Sequence, residues 1–270
     1  MDVSTMDPFN LLTKKISKSS GIILDGYRDS YLKRRIDLRM RAIEVSDYKD
    51  YSQLLDKNED ELAALIDTLT VNVTEFMRDK TPFVYFKDKL IADIIERKQS
   101  SQSKLVRFWS AGCSNGEEPY SIGICAKEAL PKDWNISIYA TDIDVKCLKN
   151  ASEGVYCQDK IEKLDPILKD KYFERSEDNF KIKNIQNLSY RFKNYDLTND
   201  SPVSKHFDTV FCRNVMIYFN EGQKVKMISN FHESLTKGGY LIIGKSETLP
   251  PEVRSLFETV SVRDKIYMKI

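Results

Sequence analysis

Four stretches between about residues 8 and 96 place apolar residues three or four positions apart: DPFNLLTKKISKSSG, YRDSYLKRRIDLRMRAIEV, DYKDYSQLLDK and EDELAALIDTLTVN. That is the period of helices that bury one face. Ser20-Gly21 and Ser46-Asp47 supply caps and breaks between them. A small helical bundle over residues 1–96 is predicted. The polar segment ERKQSSQSK (96–104) suits a linker, which sets a domain boundary at residues 97–104. Beyond it the period shortens, with β-rich runs KLVRFWSA, NISIYATDID, LSYRFKNYDL, FDTVFCRNVMIYF and GGYLIIGKSE separated by helix-like YSIGICAKEAL and EGQKVKMISNFHESLTKGG. Strands alternating with helices imply a mainly parallel sheet covered on both faces, here over residues 105–270. The closing FETVSVRDKIYMKI reads as an antiparallel hairpin around Arg263-Asp264 at one sheet edge. Residues 153–195 break the alternation and are predicted to form a small, lysine-rich β subdomain.

Composition narrows the chemistry. Forty-two basic residues against 41 acidic leave no global field towards nucleic acid or anionic lipid. No run of about 18 apolar residues occurs. The stretch MDVSTMDPFN lacks the regions of a signal peptide, so a soluble cytoplasmic protein without membrane insertion is expected. Five scattered cysteines form no C-x-x-C pair, and reduced thiols follow. With His206 and His232 the sole histidines, a metal centre or Ser-His chemistry is not expected.

In FWSAGCSNGEEPYSI (108–122), an apolar strand ends in a turn bracketed by Gly112 and Gly116, and Glu117 and Glu118 follow at the head of a helix. Ligands of open α/β sheets bind beyond the carboxyl ends of the strands. The glycines are expected to let a ligand approach the backbone. The three-glycine dinucleotide pattern and the Gly-Lys-Ser/Thr phosphate loop are both absent. Adjacent carboxylates would repel a pyrophosphate, so a cationic ligand without phosphate fits better, and S-adenosylmethionine is such a ligand. In YATDID, Asp142 falls where a carboxylate can accept both hydroxyls of a ribose. Capping the next helix is the alternative use of such a residue, for which Asp144 is the better candidate.

VNVTEFMRD (71–79), FWSAGCSNGEEPYSI, IYATDIDVKCLKNASEGVY (138–156), FDTVFCRNVMIYF (207–219) and GGYLIIGKSETL (238–249) stand in the order found in the chemotaxis receptor methyltransferases, CheR, and the chain resembles that family over nearly its whole length. The resemblance implies an α/β, Rossmann-like class I methyltransferase domain with a small β subdomain, preceded by an all-α domain. It implies methyl transfer from S-adenosyl-L-methionine to glutamate side chains of chemoreceptor methylation helices, with S-adenosyl-L-homocysteine as product. Carried over by motif, it implies cofactor contacts from Asn72, Thr74, Arg78, Glu117, Asp142, Asp196, Leu197, Arg213 and Asn214. Asp196 stands where the family commonly has Asn, so its contact is expected through side chain or backbone. We expect Arg78 to orient cofactor or substrate carboxylate and Tyr218 to shape the methyl channel. The plainer alternatives are a cap for Thr74, a surface pair for Arg78 with Asp79 or Glu75, and core packing for Tyr218 and Phe219.

A glutamate carboxylate is already ionised near neutrality, so the scarcity of histidine agrees with this chemistry. The segment YRDSYLKRRIDLRMR (27–41) holds six basic residues against two acidic. On a helix Leu32, Ile36, Met40 and Ile43 share one face, leaving Arg34, Arg35, Arg39 and Arg41 outward, either as a solvated face or as a surface for acidic receptor helices. Nothing in the pattern demands a dimer, and a monomer that binds no nucleic acid is expected. Two other readings stay open: a non-catalytic module that senses S-adenosylmethionine, and a methyltransferase acting on RNA or a small molecule.

Overall fold

The computed structural model describes residues 7–99, 102–198 and 201–270. The chain forms two compact units, Met1–Val71 with Tyr218–Lys224, and Asn72–Ile217 with Val225–Ile270.

The first unit carries α1 (Pro8–Ser20), α2 (Asp29–Ala42), α3 (Tyr48–Leu55) and α4 (Glu59–Leu69). Asp7, Asp47 and Asn58 cap the first, third and fourth by accepting N–H bonds from the opening turns. The apolar stripes meet in one core that includes Leu12, Ile16, Leu32, Ile36, Tyr51 and Leu65, as the helical spacing required. Each such side chain contributes roughly 1.5–3 kcal/mol by leaving water. Seven later residues join this unit. The Arg28 N–H donates to the Tyr218 carbonyl at 3.0 Å, the Asn220 N–H donates to Gly26 at 2.9 Å, and the Tyr27 and Phe219 rings stand 4.5 Å apart.

The second unit opens with α5 (Thr81–Tyr85), a π turn (Phe86–Leu90) and α6 (Ile91–Gln99). Phe83, Phe86, Leu90, Ile91 and Ile94 pack with Val106, Phe108 and Ile122 in one core. This corrects the boundary expected at 97–104. Apolar residues at helical spacing bind 81–94 to the sheet, so the units divide at Val71/Asn72 and the polar 96–104 segment is a connection within one unit. Residues 100–101 of that segment, and residues 1–6 of the expected bundle, lie outside the described residues.

There follow β1 (Leu105–Ala111), α7 (Glu117–Ala129), β2 (Asn135–Asp142), α8 (Val145–Glu153), β3 (Val155–Cys157), α9 (Gln158–Ile161), α10 (Pro166–Tyr172), β4 (Phe173–Ser176), β5 (Asn179–Ile182) and β6 (Leu188–Asn194). The chain closes with β7 (Phe207–Cys212), α11 (Glu221–Ser234), β8 (Leu235–Ile243), α12 (Pro251–Arg254), β9 (Phe257–Ser261) and β10 (Ile266–Lys269). The main sheet is ordered β6-β2-β1-β7-β8-β10-β9, parallel except where β10 pairs β8 and β9. The terminal hairpin therefore lies at the sheet edge, as the alternation predicted. A separate antiparallel sheet β3-β5-β4 forms the β subdomain. It ends earlier than expected: residues 188–194 run parallel to β2, Ile136 opposite Leu188 through Asp142 opposite Asn194. Leu188, Tyr190 and Phe192 alternate with polar residues, the pattern of a strand half-covered by a helix layer. Among the described residues no helix is long and apolar enough to cross a membrane.

Strand order reverses between β1 and β7, so the crevice beyond their carboxyl ends is the switch point where open sheets hold ligands. The Gly112 turn leaves one of these strands, and Arg213-Asn214 the other.

Candidate cofactor site

The glycine turn is tied to the end of β2. Gly112 and Cys113 N–H groups donate to the Thr141 carbonyl at 2.8 and 2.9 Å, and the Ser114 N–H donates to Asp142 Oδ2 at 2.7 Å. Three successive donors are thereby consumed within the protein, and no nest of free N–H groups remains on them for a phosphate. Both glycines hold left-handed backbone, φ 82° and 95°. A Cβ on Gly112 would lie 2.5 Å from Val215 Cγ2, and one on Gly116 would lie 2.8 Å from the Tyr156 hydroxyl oxygen and 2.9 Å from Ala151 Cβ. At both positions the glycine also makes room for protein side chains packed against the turn.

The paired acids divide in role. Glu118 accepts from the Ser110 hydroxyl at 2.7 Å and pairs with Arg213 Nη1 at 3.4 Å; burial pushes its carboxyl up, against the opposing pull of Arg213. Glu117, at the first position of α7, is fully buried, and neither carboxylate oxygen has a hydrogen-bond partner in the protein. A buried carboxylate left so is strongly unfavourable unless a cation meets it. Lys160 Nζ stands 3.2 Å from Oε1, outside hydrogen-bond alignment.

Asp142 and Asp144 separate as expected for the cap. Asp144 accepts from the Lys146 and Cys147 N–H groups at 2.9 and 3.2 Å and so caps α8, while its Oδ2 accepts from the Asn72 amide at 2.8 Å. Burial acts upwards on Asp144, but these donors more than offset it and hold the carboxyl below its ordinary value. Asp142 accepts one backbone N–H on each oxygen, Ser114 at 2.7 Å and Asp144 at 3.0 Å, leaving acceptor capacity on both. Burial raises its carboxyl.

Thr74 begins no helix: residues 71–75 are irregular and a turn follows at 76–79, with Met77 and Asp79 at φ 52° and 58°. Arg78 folds back to donate from Nη1 to the Val73 carbonyl at 2.8 Å. Asp79 pairs with Arg213 Nη2 at 3.0 Å, and the same nitrogen donates to the Arg78 carbonyl at 2.6 Å. The two Nη groups of Arg213 are therefore engaged by the 78–79 turn and Glu118, with Phe83 beneath the guanidinium at 5.0 Å, while its buried Nε has no hydrogen-bond partner. Asn214, at φ 61°, is held through its N–H by Glu247 Oε2 at 3.1 Å. Asp196 Oδ1 accepts from the Thr198 N–H and hydroxyl at 2.8 and 2.7 Å, so its side chain is engaged locally; Leu197 is buried beside it. Cys113 and Cys212 are buried, which pushes both thiols up, as inert packing residues require.

Tyr218 does not end a strand. β7 stops at Cys212, Met216–Tyr218 is a single 3₁₀ turn, and Tyr218 belongs to the helical unit, its ring 4.9 Å from that of Tyr31. In the same unit Arg34 and Arg41 are exposed, and Arg35 is half-buried beside Tyr31. Arg39 departs from the expected outward face. Its Nε donates to Glu61 Oε1 at 3.1 Å and its Nη2 to Oε2, while the Tyr51 hydroxyl donates to the same carboxylate at 2.7 Å. Glu61 is 5% exposed, and its carboxylate ties three helices together through Arg39 and Tyr51.

Two participants went unassigned in the sequence, Lys160 and Glu247. Glu247 was visible as an acid after the strand-end Gly244, but two of its three partners are backbone groups about thirty residues away. A cavity of about 840 Å³ also opens in this unit, between Phe76, Phe83, Ile124 and Leu168; Glu117, Asp142 and Asn214 do not line it.

The profile described as CheR methyltransferase, SAM binding domain matches residues 72–266, and CheR methyltransferase, all-alpha domain matches residues 7–70. The chain belongs to the CheR methyltransferase family. Its two profiles meet where the compact units divide, at residues 70–72. A chemotaxis protein methyltransferase of Borreliella burgdorferi is 34% identical, over 91% of this chain and 89% of its own. A probable chemotaxis protein methyltransferase of Rhizobium etli is 30% identical, covering 92% and 94%, and the Escherichia coli chemotaxis protein methyltransferase is 31% identical, covering 88% and 83%. The cofactor of this CheR-family chain is S-adenosylmethionine. The donor set fits it: a buried carboxylate without a hydrogen-bond partner suits an ammonium, Asp142 retains acceptors for hydroxyls, and the turn spends its N–H groups where a phosphate would need them.

Proposed function

We propose that the protein transfers a methyl group from S-adenosylmethionine to glutamate side chains on the cytoplasmic methylation helices of chemoreceptors, giving methyl esters. The observation that carries this reading is the Glu117 carboxylate, buried without a hydrogen-bond partner at the head of α7, one strand end from the switch point. The chemotaxis methyltransferases it resembles supply the chemotactic setting.

The cofactor supplies an electrophilic methyl group on a cationic sulfur. Glu117 pairs with its ammonium, Asp142 accepts from its hydroxyls, and backbone at Asp196-Leu197 meets its base. Asn72 acts through Asp144, holding the loop before Thr74 against α8. Arg213 acts by fixing the 78–79 turn, which sets where Arg78 stands to orient a carboxylate. Asn214 is presented by Glu247. Tyr218 is assigned to the methyl channel on the resemblance alone. An acceptor glutamate is a carboxylate near neutrality, its unperturbed pKa being about 4.3, so no general base is needed. Joining an anion to a cation removes charge, which exclusion of water favours, and alignment alone can lower the barrier by roughly 7 to 11 kcal/mol. Exposed Arg34 and Arg41, with Arg35, form the surface for acidic receptor helices.

Transfer of labelled methyl from the cofactor to a purified receptor cytoplasmic fragment, released as methanol by mild base, tests the reading. Label on RNA, or saturable cofactor binding with no transfer to the receptor, would sink it.

A further inference from the structure

Glu117 is met by a cation from the β subdomain. Lys160, on α9, places Nζ 3.2 Å from Glu117 Oε1, and the same ammonium donates to the Thr74 carbonyl at 3.2 Å. One lysine thus touches two positions assigned to the cofactor. The pair is lopsided: the Glu117 side chain is 0% exposed and that of Lys160 is 43% exposed. The carboxylate cannot regain water without unfolding, whereas the lysine head can leave at little cost on its flexible stem. The contact also lacks hydrogen-bond alignment at both Glu117 oxygens, so it offers charge without the bonds that an ammonium seated in the crevice would make.

We propose that Lys160 is an internal stand-in for the cofactor's ammonium. It neutralises Glu117 before the cofactor arrives and withdraws when the ligand's own ammonium takes its place. The inference rests on the reading of Glu117 as the ammonium's partner. Because one carboxylate serves two competing cations, cofactor loading and the position of α9 are linked reciprocally: whatever holds α9 away from Glu117 tightens cofactor binding, and the cofactor frees α9. The β subdomain is thereby coupled to the cofactor site through a single side chain.

The geometry has a rival use, in which Lys160 pairs with the carboxylate of the cofactor's amino-acid end, and the two differ in sign. Calorimetry on the full chain with two ligands separates them: S-adenosylhomocysteine, and 5′-methylthioadenosine, which has the nucleoside and thioether without the amino-acid end. Lys160→Met is expected to tighten S-adenosylhomocysteine by about two- to fivefold, the range for losing a competing, partly exposed ion pair, and to leave methylthioadenosine unchanged. Circular dichroism verifies that the variant is folded. Unchanged or weaker binding of S-adenosylhomocysteine overturns the proposal, as does equal tightening of both ligands. Glu117→Gln checks the underlying reading separately, by weakening S-adenosylhomocysteine and sparing methylthioadenosine. Should Glu117→Gln bind S-adenosylhomocysteine as the parent does, that reading fails and the proposal with it. Should Glu117→Gln weaken it while Lys160→Met changes nothing, the stand-in alone fails.

Discussion

Glu247, buried, and Asp144, half-buried, are carboxylates at turns of the same unit, and their surroundings drive them in opposite directions. Glu247 accepts N–H bonds from Asn214, Gly244 and Ile217, at 3.1, 2.6 and 3.2 Å, yet burial outweighs these and raises its carboxyl. The folded state therefore holds that proton more tightly than the unfolded chain. Its contribution is most favourable below the ordinary value of 4.5 and declines as pH rises through the raised folded value. Glu247→Gln is expected to lack this downward slope in urea titrations run at a series of pH values above 4.5. Glu247→Ala is expected to cost about 3 kcal/mol or more, since three backbone donors lose their acceptor. For Asp144 the sign reverses. Its carboxyl is depressed, so its stabilisation is present above the ordinary value of 3.8 and is lost as pH falls through the depressed one. Asn72→Ala, which removes one donor, is expected to cost about 1 kcal/mol at neutral pH and less in acid; an equal cost at every pH would refute it. The sequence made Asp144 legible as a cap because capping is local. Lys160 was silent because its partners are distant in the chain, and Glu247 because two of its three partners are.

Within single elements, periodicity located α1 to α4 and β1, β2, β7 and β8, and it placed the buried stripe of α2 on Leu32, Ile36 and Met40. It did not distinguish Arg39 from its neighbours, since the deciding partner, Glu61, lies 22 residues away on another helix. Two substitutions should therefore behave differently. Arg39→Glu sets a like charge against a buried carboxylate and is expected to destabilise by roughly 3–5 kcal/mol, read by denaturant unfolding. The pair Arg34→Glu and Arg41→Glu is expected to leave that midpoint within experimental error. It should lower receptor methylation by about tenfold or more at low salt and by less at high salt, with S-adenosylhomocysteine affinity unchanged. Loss of cofactor affinity in this double variant would remove the receptor-surface reading.

At the scale of the whole molecule, the alternation of periods was sufficient for the layer architecture, since parallel strands must be covered on both faces. It misplaced the division between units, because a polar connection looks the same whether it joins domains or a helix to a strand. Composition alone could not show that 218–224 rejoins the helical unit. Hydrogen exchange offers a direct check. Ile36→Ala, in the helical core, is expected to cost about 2–5 kcal/mol. It should speed exchange at Arg28 and Asn220, whose N–H groups bond across this seven-residue return, while amides of β1 and β7 keep their rates. Exchange at Asn220 that follows β7 instead would show that the return belongs to the sheet unit.

That return bears on how such proteins can be recombined. A hybrid gene joined at codon 72 would import a foreign helical head but leave the native 218–224 segment behind, so the new head would meet a loop selected against a different surface. Functional hybrids should need both pieces from one parent, and relatives that have drifted apart should co-vary between Tyr27 or Tyr31 and Tyr218 or Phe219, far apart in the gene though they are.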